Sequence, residues 1–422
     1  MSGEYDDDCY IDWTGDIFND DYIMLKKLGK GSYSSVWLSY RFSDNCFFAV
    51  KIFNRCDFDD GKKEIDVYNE LQKIKSQSLL TIKDSFEYIN KDGDDSDDSD
   101  YSDDSDDTDV LNDDEKNNNN THVCIIMDVF AYTSFDLICN NQKVDLDTII
   151  QIIKQVIDGL VDLHKSKYIH GDIKLENILL GGVNKDNDEI CKKVLELKKN
   201  IKMPKRSRKK TKSKITQIQM LSDEIKKIYK REENPTKKIS ESKVCVSSLL
   251  SRPICVKIAD NGSCIRPEEP RIKPIQTRYY RCPEVLLGLP YDEKTDMWSL
   301  GCAMYELITG DLLFDPDDND IDREHLYLIT KSLGSIPHHM IDMCPTKDIY
   351  FTKDKKRIRG FKNIKYTSII DKLLSTIDLE DPINTKNKMV LIVDLMMKLL
   401  SIDPEKRLSS EQAKNHLLFV KD

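Results

Sequence analysis

The stretch Tyr168-Ile-His-Gly-Asp-Ile-Lys-Leu-Glu-Asn-Ile-Leu-Leu180 decides how the rest of the chain is read. It brings an acid, a base and an amide, Asp172, Lys174 and Asn177, into one short loop. Apolar residues flank the three, Tyr168 and Ile169 before and Ile178 to Leu180 after, as in a loop pinned between buried segments. A carboxylate at Asp172 suits proton abstraction from a hydroxyl, Lys174 suits neutralisation of a transferring phosphate, and Asn177 suits a divalent cation. A polar turn between two strands reads similarly, so the loop gains its meaning from what surrounds it.

Upstream, Asp21-Tyr-Ile-Met-Leu-Lys-Lys-Leu28 runs into Gly29-Lys-Gly31-Ser-Tyr-Ser34-Ser-Val-Trp-Leu38, a strand–turn–strand by its glycine and β-branched content. Glycines let a backbone lie close over phosphates where a Cβ would obstruct it. Ser34 stands where a third glycine would complete the spacing, and no helix follows, which disfavours a dinucleotide-binding fold. Phe48-Ala-Val-Lys51 ends the next apolar strand in a lysine suited to nucleotide phosphates. Ile65, Tyr68, Leu71 and Ile74 mark a helix that offers Glu64, with Glu70 as runner-up, to pair with that lysine.

Downstream of the His122–Met127 strand, Leu146, Ile149, Ile150, Ile153, Val156, Ile157, Leu160 and His164 line one face of a long helix leading into the loop. Ile254-Cys-Val-Lys-Ile-Ala-Asp260-Asn-Gly262 is a strand ending in a carboxylate for a divalent cation. Thr295 to Gly310 is apolar almost all round and reads as a buried helix stopped by Gly310.

The chain has 422 residues, 39% of them hydrophobic, enough for one large two-lobed enzyme. No run of about twenty apolar residues occurs, so no membrane span is expected. The acidic N-terminus lacks a signal-peptide pattern, and residues 1–21 read as a flexible leader. The 12 cysteines form no C-x-x-C pair and read as reduced thiols. Residues 91–116 carry 14 acids and two lysines, whereas residues 191–240 carry 18 Lys or Arg against five acids. Two insertions follow from this partition: an acidic one at 91–120, with Ser96, Ser99, Ser102 and Ser105 among its acids, and a basic one at 181–250. Both are expected to be spacers whose removal leaves a folded, active protein. Ile215, Ile218, Leu221, Ile225 and Ile228 suggest one amphipathic helix in the second. Its run Lys205-Arg-Ser-Arg-Lys-Lys210 reads equally as a nuclear import signal, a nucleic-acid contact or a solvated spacer.

From about Tyr22 to Phe419, insertions apart, the chain resembles a eukaryotic-type serine/threonine protein kinase. Gly29-x-Gly31, Lys51, Glu64, Asp172 to Asn177, Asp260-x-Gly262, Pro283-Glu284, Asp296-x-Trp298 and Arg407 occur in that family's order. It is most similar to the SR-protein kinases in Ser35-Val-Trp-Leu38, Thr121-His-Val-Cys124, Gln276-Thr-Arg-x-Tyr-Arg281 and the small residue Gly171. The resemblance implies an α+β, two-lobed fold, with a β-rich N-lobe over about 22–130 and a helical C-lobe over about 131–419. It implies ATP and Mg²⁺ as cofactors. Leu28, Gly29, Lys30, Gly31, Ser32, Tyr33, Ser34, Ser35 and Val36 would then cover the nucleotide, with Ala49 lining its pocket. Lys51, held by Glu64, would grip the phosphates. Met127 would guard the back of the pocket, and backbone groups of Asp128 and Phe130 would bind adenine. Asp172 would accept the proton, Lys174 would stabilise the phosphate, and Asn177 and Asp260 would ligate Mg²⁺. Glu284 and Arg407 would form a buried ion pair, and Asp296 would anchor the catalytic loop.

The departures are Ser34, Leu175 for a proline, Asn261 for an apolar residue, Cys282 for an alanine, and Gly171 where an arginine commonly awaits an activating phosphate. None removes a reacting group. The expectation is therefore a kinase active as synthesised. Its substrates should be basic Arg/Ser-rich proteins, drawn by the acidic remainder of the chain, including the acids between Asp315 and Glu324. It should act as a monomer without nucleic acid, in the cytoplasm or, through the basic run, the nucleus. The alternative is a pseudokinase scaffold binding through its charged insertions, which the presence of Lys51, Asp172 and Asp260 disfavours.

Overall fold

The computed structural model describes residues 11–90, 120–139, 144–201, 210–232, 254–317, 321–355, 357–361, 368–376 and 382–420. It divides into two units. The first draws on Met1–Asn69, Thr81–Val129 and Asn184–Ser242, and the second on Glu70–Leu80, Phe130–Val183 and Lys243–Asp422.

Alternating apolar and β-branched residues build the first unit's strands: β1 (Ile17–Phe18), β2 (Tyr22–Lys30), β3 (Ser34–Arg41), β4 (Cys46–Phe53), β5 (Ile82–Ile89) and β6 (Thr121–Met127). They form one six-stranded sheet in the order β1-β2-β3-β4-β6-β5. Period-two alternation sends Tyr22, Met24, Trp37, Phe48, Val50 and Ile52 to one face. Trp13 and Phe18 pack into that same cluster, 3% and 0% exposed. The flexible leader expected over 1–21 is therefore corrected from residue 11 onward, while residues 1–10 lie outside the described residues. The other face carries Lys51 and meets helix α1 (Phe58–Leu71).

The acidic insertion leaves and re-enters at one point, because Ile89 pairs with Thr121 and the Asn90 N–H donates to the Asn120 carbonyl at 2.9 Å. Residues 91–119, including the four serines, lie outside the described residues. Replacing residues 92–119 by a short Gly-Ser link is expected to shift the melting temperature by less than ~3 °C, because shortening a loop whose ends already meet changes little. A far larger fall on thermal denaturation would show that the segment packs on the core.

The second unit opens with β7 (Tyr132–Thr133), α2 (Ser134–Cys139) and α3 (Leu146–Lys165). Asp145 caps α3 by accepting from the Thr148 N–H at 2.9 Å, and Ile149, Ile153, Val156, Ile157, Leu160 and His164 are buried on it, as the periodicity required. The loop of Asp172 follows, then β8 (Ile178–Leu180).

The chain next re-enters the first unit. Helices α4 (Lys185–Asn200) and α5 (Lys210–Glu232) lay Val194, Ile218, Leu221 and Ile225 on Ile23, Leu25, Leu38, Tyr40 and Phe42 of β2, β3 and the turn after them. Lys198 sits 3.8 Å from the Phe42 ring centroid and donates to the Tyr40 hydroxyl at 2.8 Å. Ser222 donates to the Gly15 carbonyl at 2.5 Å, and Lys226 pairs with Asp16 at 2.5 Å. The basic insertion is thus not a spacer: its helices are part of the first unit's core, a correction to the expectation above. The amphipathic helix itself is where the apolar spacing put it, although Ile215 stays exposed. Residues 202–209 and 233–253, with nearly all of the basic run, lie outside the described residues.

Back in the second unit, β9 (Val256–Ile258) joins the sheet in the order β7-β8-β9. Helices α6 (Pro283–Leu286), α7 (Lys294–Thr309) and α8 (Ile321–Leu333) follow. Helix α7 is buried along nearly its whole length and ends at Gly310 with φ +76°, a left-handed cap that favours glycine. Of the acids between Asp315 and Glu324, Asp318 and Asp320 lie outside the described residues. No described helix is long and apolar enough to cross a membrane.

Candidate active site

In the first unit the β2–β3 turn is closed by the Gly31 N–H on the Ser34 carbonyl at 2.8 Å. Leu28, Gly29 and Lys30 end β2, and a Cβ placed on Gly29 would meet nothing within 4 Å, so this backbone is open to a ligand. Ser32 and Tyr33 form the tip, where Asn54 donates from Nδ2 to the Ser32 carbonyl at 3.2 Å and from its backbone to the Tyr33 carbonyl at 3.0 Å. Ser34 pairs with Phe53, Ser35 with Ile52 and Val36 with Lys51 in an extended ladder. A third glycine is not needed, since Ser34 already adopts strand geometry.

Lys51 Nζ donates to both Glu64 carboxylate oxygens, at 2.8 and 2.7 Å, and both side chains are buried. Glu64 rather than Glu70 is therefore the partner. The helix periodicity explains it: Glu64 shares its buried stripe with Val67, Tyr68 and Leu71. Ala49 lies opposite Met127 in the β4–β6 ladder, and Asp128 follows, paired with Lys83 at 3.0 Å. Phe130 belongs to the second unit.

In the second unit four groups converge on Asp172. Lys174 Nζ donates to Oδ2 at 2.6 Å and Asn177 Nδ2 to the same oxygen at 3.2 Å. The Thr277 hydroxyl and backbone N–H donate to Oδ1 at 2.6 and 3.1 Å, and Lys174 also reaches the Thr277 hydroxyl at 3.0 Å. The loop is held from below by Asp296, whose carboxylate accepts the His170 and Gly171 N–H groups at 2.8 and 2.9 Å and His164 Nε2 at 2.9 Å. Burial alone would raise the Asp296 pKa, but His164 and these N–H groups hold it below the ordinary value. Arg407 forks onto Glu284 at 2.6 and 2.9 Å in full burial, fixing the end of the segment that begins at Asp260.

This order of parts can be set against known proteins. The protein kinase domain pattern matches residues 22–194 and 247–419. The chain belongs to the protein kinase family. The kinase is 26% identical over 424 residues to a serine/threonine-protein kinase SRPK of Physarum polycephalum, covering 96% of this chain and 87% of that one. It is 24% identical over 425 residues to the serine/threonine-protein kinase AFC3 of Arabidopsis thaliana, covering 98% and 85%. With the dual specificity protein kinase CLK1 of Mus musculus it shares 24% identity over 413 residues, covering 96% and 67%. The expected likeness to SR-protein kinases is borne out, as is a serine/threonine protein kinase with a β-rich and a helical unit.

The family uses ATP with a divalent metal, and this kinase's residues fit that pair. The donors are hard oxygens: Asn177 spends its amide nitrogen on Asp172, leaving its oxygen as the donor atom, and Asp260 offers a carboxylate. The Ala259 N–H donates to the Asn177 carbonyl at 2.9 Å, which ties the two positions together. Asp260 adopts φ +64°, a left-handed conformation that an Asp tolerates better than most residues.

Gln276, which heads the Gln276-Thr-Arg-x-Tyr-Arg281 motif, had no role assigned from the sequence. It adopts φ +69°, accepts the Cys282 N–H at 3.0 Å, and donates to the Thr295 carbonyl and Ser299 hydroxyl at 2.9 and 2.8 Å. That buried amide fixes Thr277 on one side and Pro283-Glu284 on the other.

Proposed function

We propose that this kinase transfers the γ-phosphoryl group of Mg-ATP to serine or threonine hydroxyls of Arg-rich proteins, and does so as synthesised. The observation that carries the reading is Asp172, clamped by Lys174, Asn177 and Thr277. Asp172 accepts the proton of the attacking hydroxyl, while Lys174 meets the charge of the phosphoryl oxygens. Lys51, oriented by Glu64, holds the nucleotide phosphates in line. Mg²⁺, held by Asn177 and Asp260, would neutralise charge on the phosphate oxygens. Gly171 supports activity without a modifying kinase. Its φ is +77°, and a Cβ there would meet the Ser263 carbonyl at 3.0 Å, so no side chain awaits a phosphate.

The substrate preference rests on two acids. Glu306 is buried, and its carboxylate accepts the Tyr280 hydroxyl at 2.5 Å. Burial pushes its pKa up, and the nearby charge of Glu176 raises it further. A guanidinium from the substrate would meet the exposed Glu176 carboxylate and offset its charge on Glu306. The test is kcat/KM on Arg-Ser, acidic and proline-directed peptides at two ionic strengths, with Glu176→Gln beside the native chain. An Arg-Ser preference of about tenfold or more that shrinks with salt is expected, and Glu176→Gln should raise KM for that peptide alone. Equal rates on basic and acidic peptides would sink the substrate assignment.

A further inference from the structure

Helix α1 carries Glu64, and packing sets how closely its first turns approach the sheet. Lys62 pairs with Glu87, but both side chains are about half exposed, and such pairs contribute little. What brings the helix close is a glycine. Gly61 lies one turn before Glu64 on the same buried stripe, facing the sheet. A Cβ at Gly61 would stand 2.8 Å from Val123 Cβ, 3.0 Å from Val123 Cγ1 and 3.0 Å from Phe53 Cγ. Those neighbours are rigid: Val123 is 0% and Phe53 3% exposed, on adjacent antiparallel strands. Phe53 also carries the Lys51 ammonium 4.9 Å over its ring. The same wall therefore receives α1 and supports the lysine.

We infer that Gly61 is a positioning residue for phosphoryl transfer: the missing side chain sets the approach of α1 that lets Glu64 grip Lys51 with both oxygens. Ordinary carbon contact begins near 3.4 Å or beyond, so any side chain at 61 levers the helix outward by several tenths of an ångström. Two hydrogen bonds of 2.8 and 2.7 Å cannot both follow that movement. The ion pair then opens, and Lys51 is no longer aimed at the phosphates. This inference rests on the proposed role of Lys51 in holding ATP.

The experiment compares Gly61→Val, Glu64→Gln and the double variant in the full chain, with melting temperature as a folding control. Gly61→Val is expected to lower kcat/KM for ATP about 100-fold, the scale of losing one placed charge in phosphoryl transfer. In the Glu64→Gln background it should have almost no further effect, since both changes act through one contact. Equal losses in both backgrounds, or an unaffected single variant, would overturn the inference. Gly61→Ala, the smaller step, keeps the test open should Gly61→Val not fold, and its loss should be lesser but equally non-additive. Hydrogen exchange over residues 58–71 gives a readout that needs no activity: faster exchange in the glycine variants is expected. Unchanged exchange would contradict the contact. Faster exchange in a chain whose native form transfers no phosphate would instead contradict the ATP assignment.

Discussion

Leu221→Asp is expected to unfold the first unit at temperatures where the native chain is intact. Leu221 is 0% exposed and packs against residues of β2 and β3 through the apolar face of α5. Losing a buried leucine costs about 2–5 kcal/mol, and placing a carboxylate there without a partner adds to that. A total of ~5 kcal/mol rivals the whole stability of an ordinary domain. Ile215→Asp on the same helix is the control: Ile215 is 57% exposed, and its change should stay within about 0.5 kcal/mol. Denaturant unfolding of both variants checks this. Two indistinguishable curves would return helices α4 and α5 to the status of a spacer.

That status was a natural one to assign from sequence. Between residues 191 and 240 the excess of Lys and Arg dominates any average, and it hides a sparse apolar stripe. Ile218, Leu221 and Ile225 bury only because β2 and β3 offer Ile23, Leu25 and Leu38 as a facing surface. Amphipathicity was legible there; the partner was not. Trp13 and Phe18 were lost among acids for the same reason. The candidate reacting groups were easier to single out, since few residue types could serve as Lys51, Asp172, Asn177 and Asp260 are proposed to serve, and their order follows the family's. Glu64 and Glu70 were separable in principle, because only Glu64 shares a stripe with Val67 and Tyr68, while Glu70 accepts from the Tyr168 hydroxyl instead. The roles of Gln276 and Asn54 could not be read: each works through backbone carbonyls and N–H groups that composition does not reveal.

Asp172→Ala is expected to lower kcat by about 10²–10⁴-fold, the contribution of a placed proton acceptor, while ATP affinity stays within a few-fold of native. In the proposed reading the carboxylate, which belongs to the second unit, acts on the hydroxyl, whereas Lys51 and the glycine turn of the first would hold the nucleotide. The substitution also releases Lys174 and Thr277, so some misplacement adds to the loss. Asp172→Asn separates the two effects, because an amide keeps the shape and the hydrogen bonds accepted by its one remaining oxygen but not the basicity. Both variants should be equally slow if proton acceptance dominates, and Asp172→Asn should be clearly faster if positioning does.

Phosphoryl transfer by the chain alone is the decisive property. Bacterially made, phosphatase-treated protein would be incubated with Mg²⁺, γ-labelled ATP and an Arg-Ser peptide, with Asp172→Ala in parallel. Labelled phosphoserine from the native chain and only background from the variant is the expected result. Silence from the native chain until a second kinase is added, or equal label from Asp172→Ala, would contradict it.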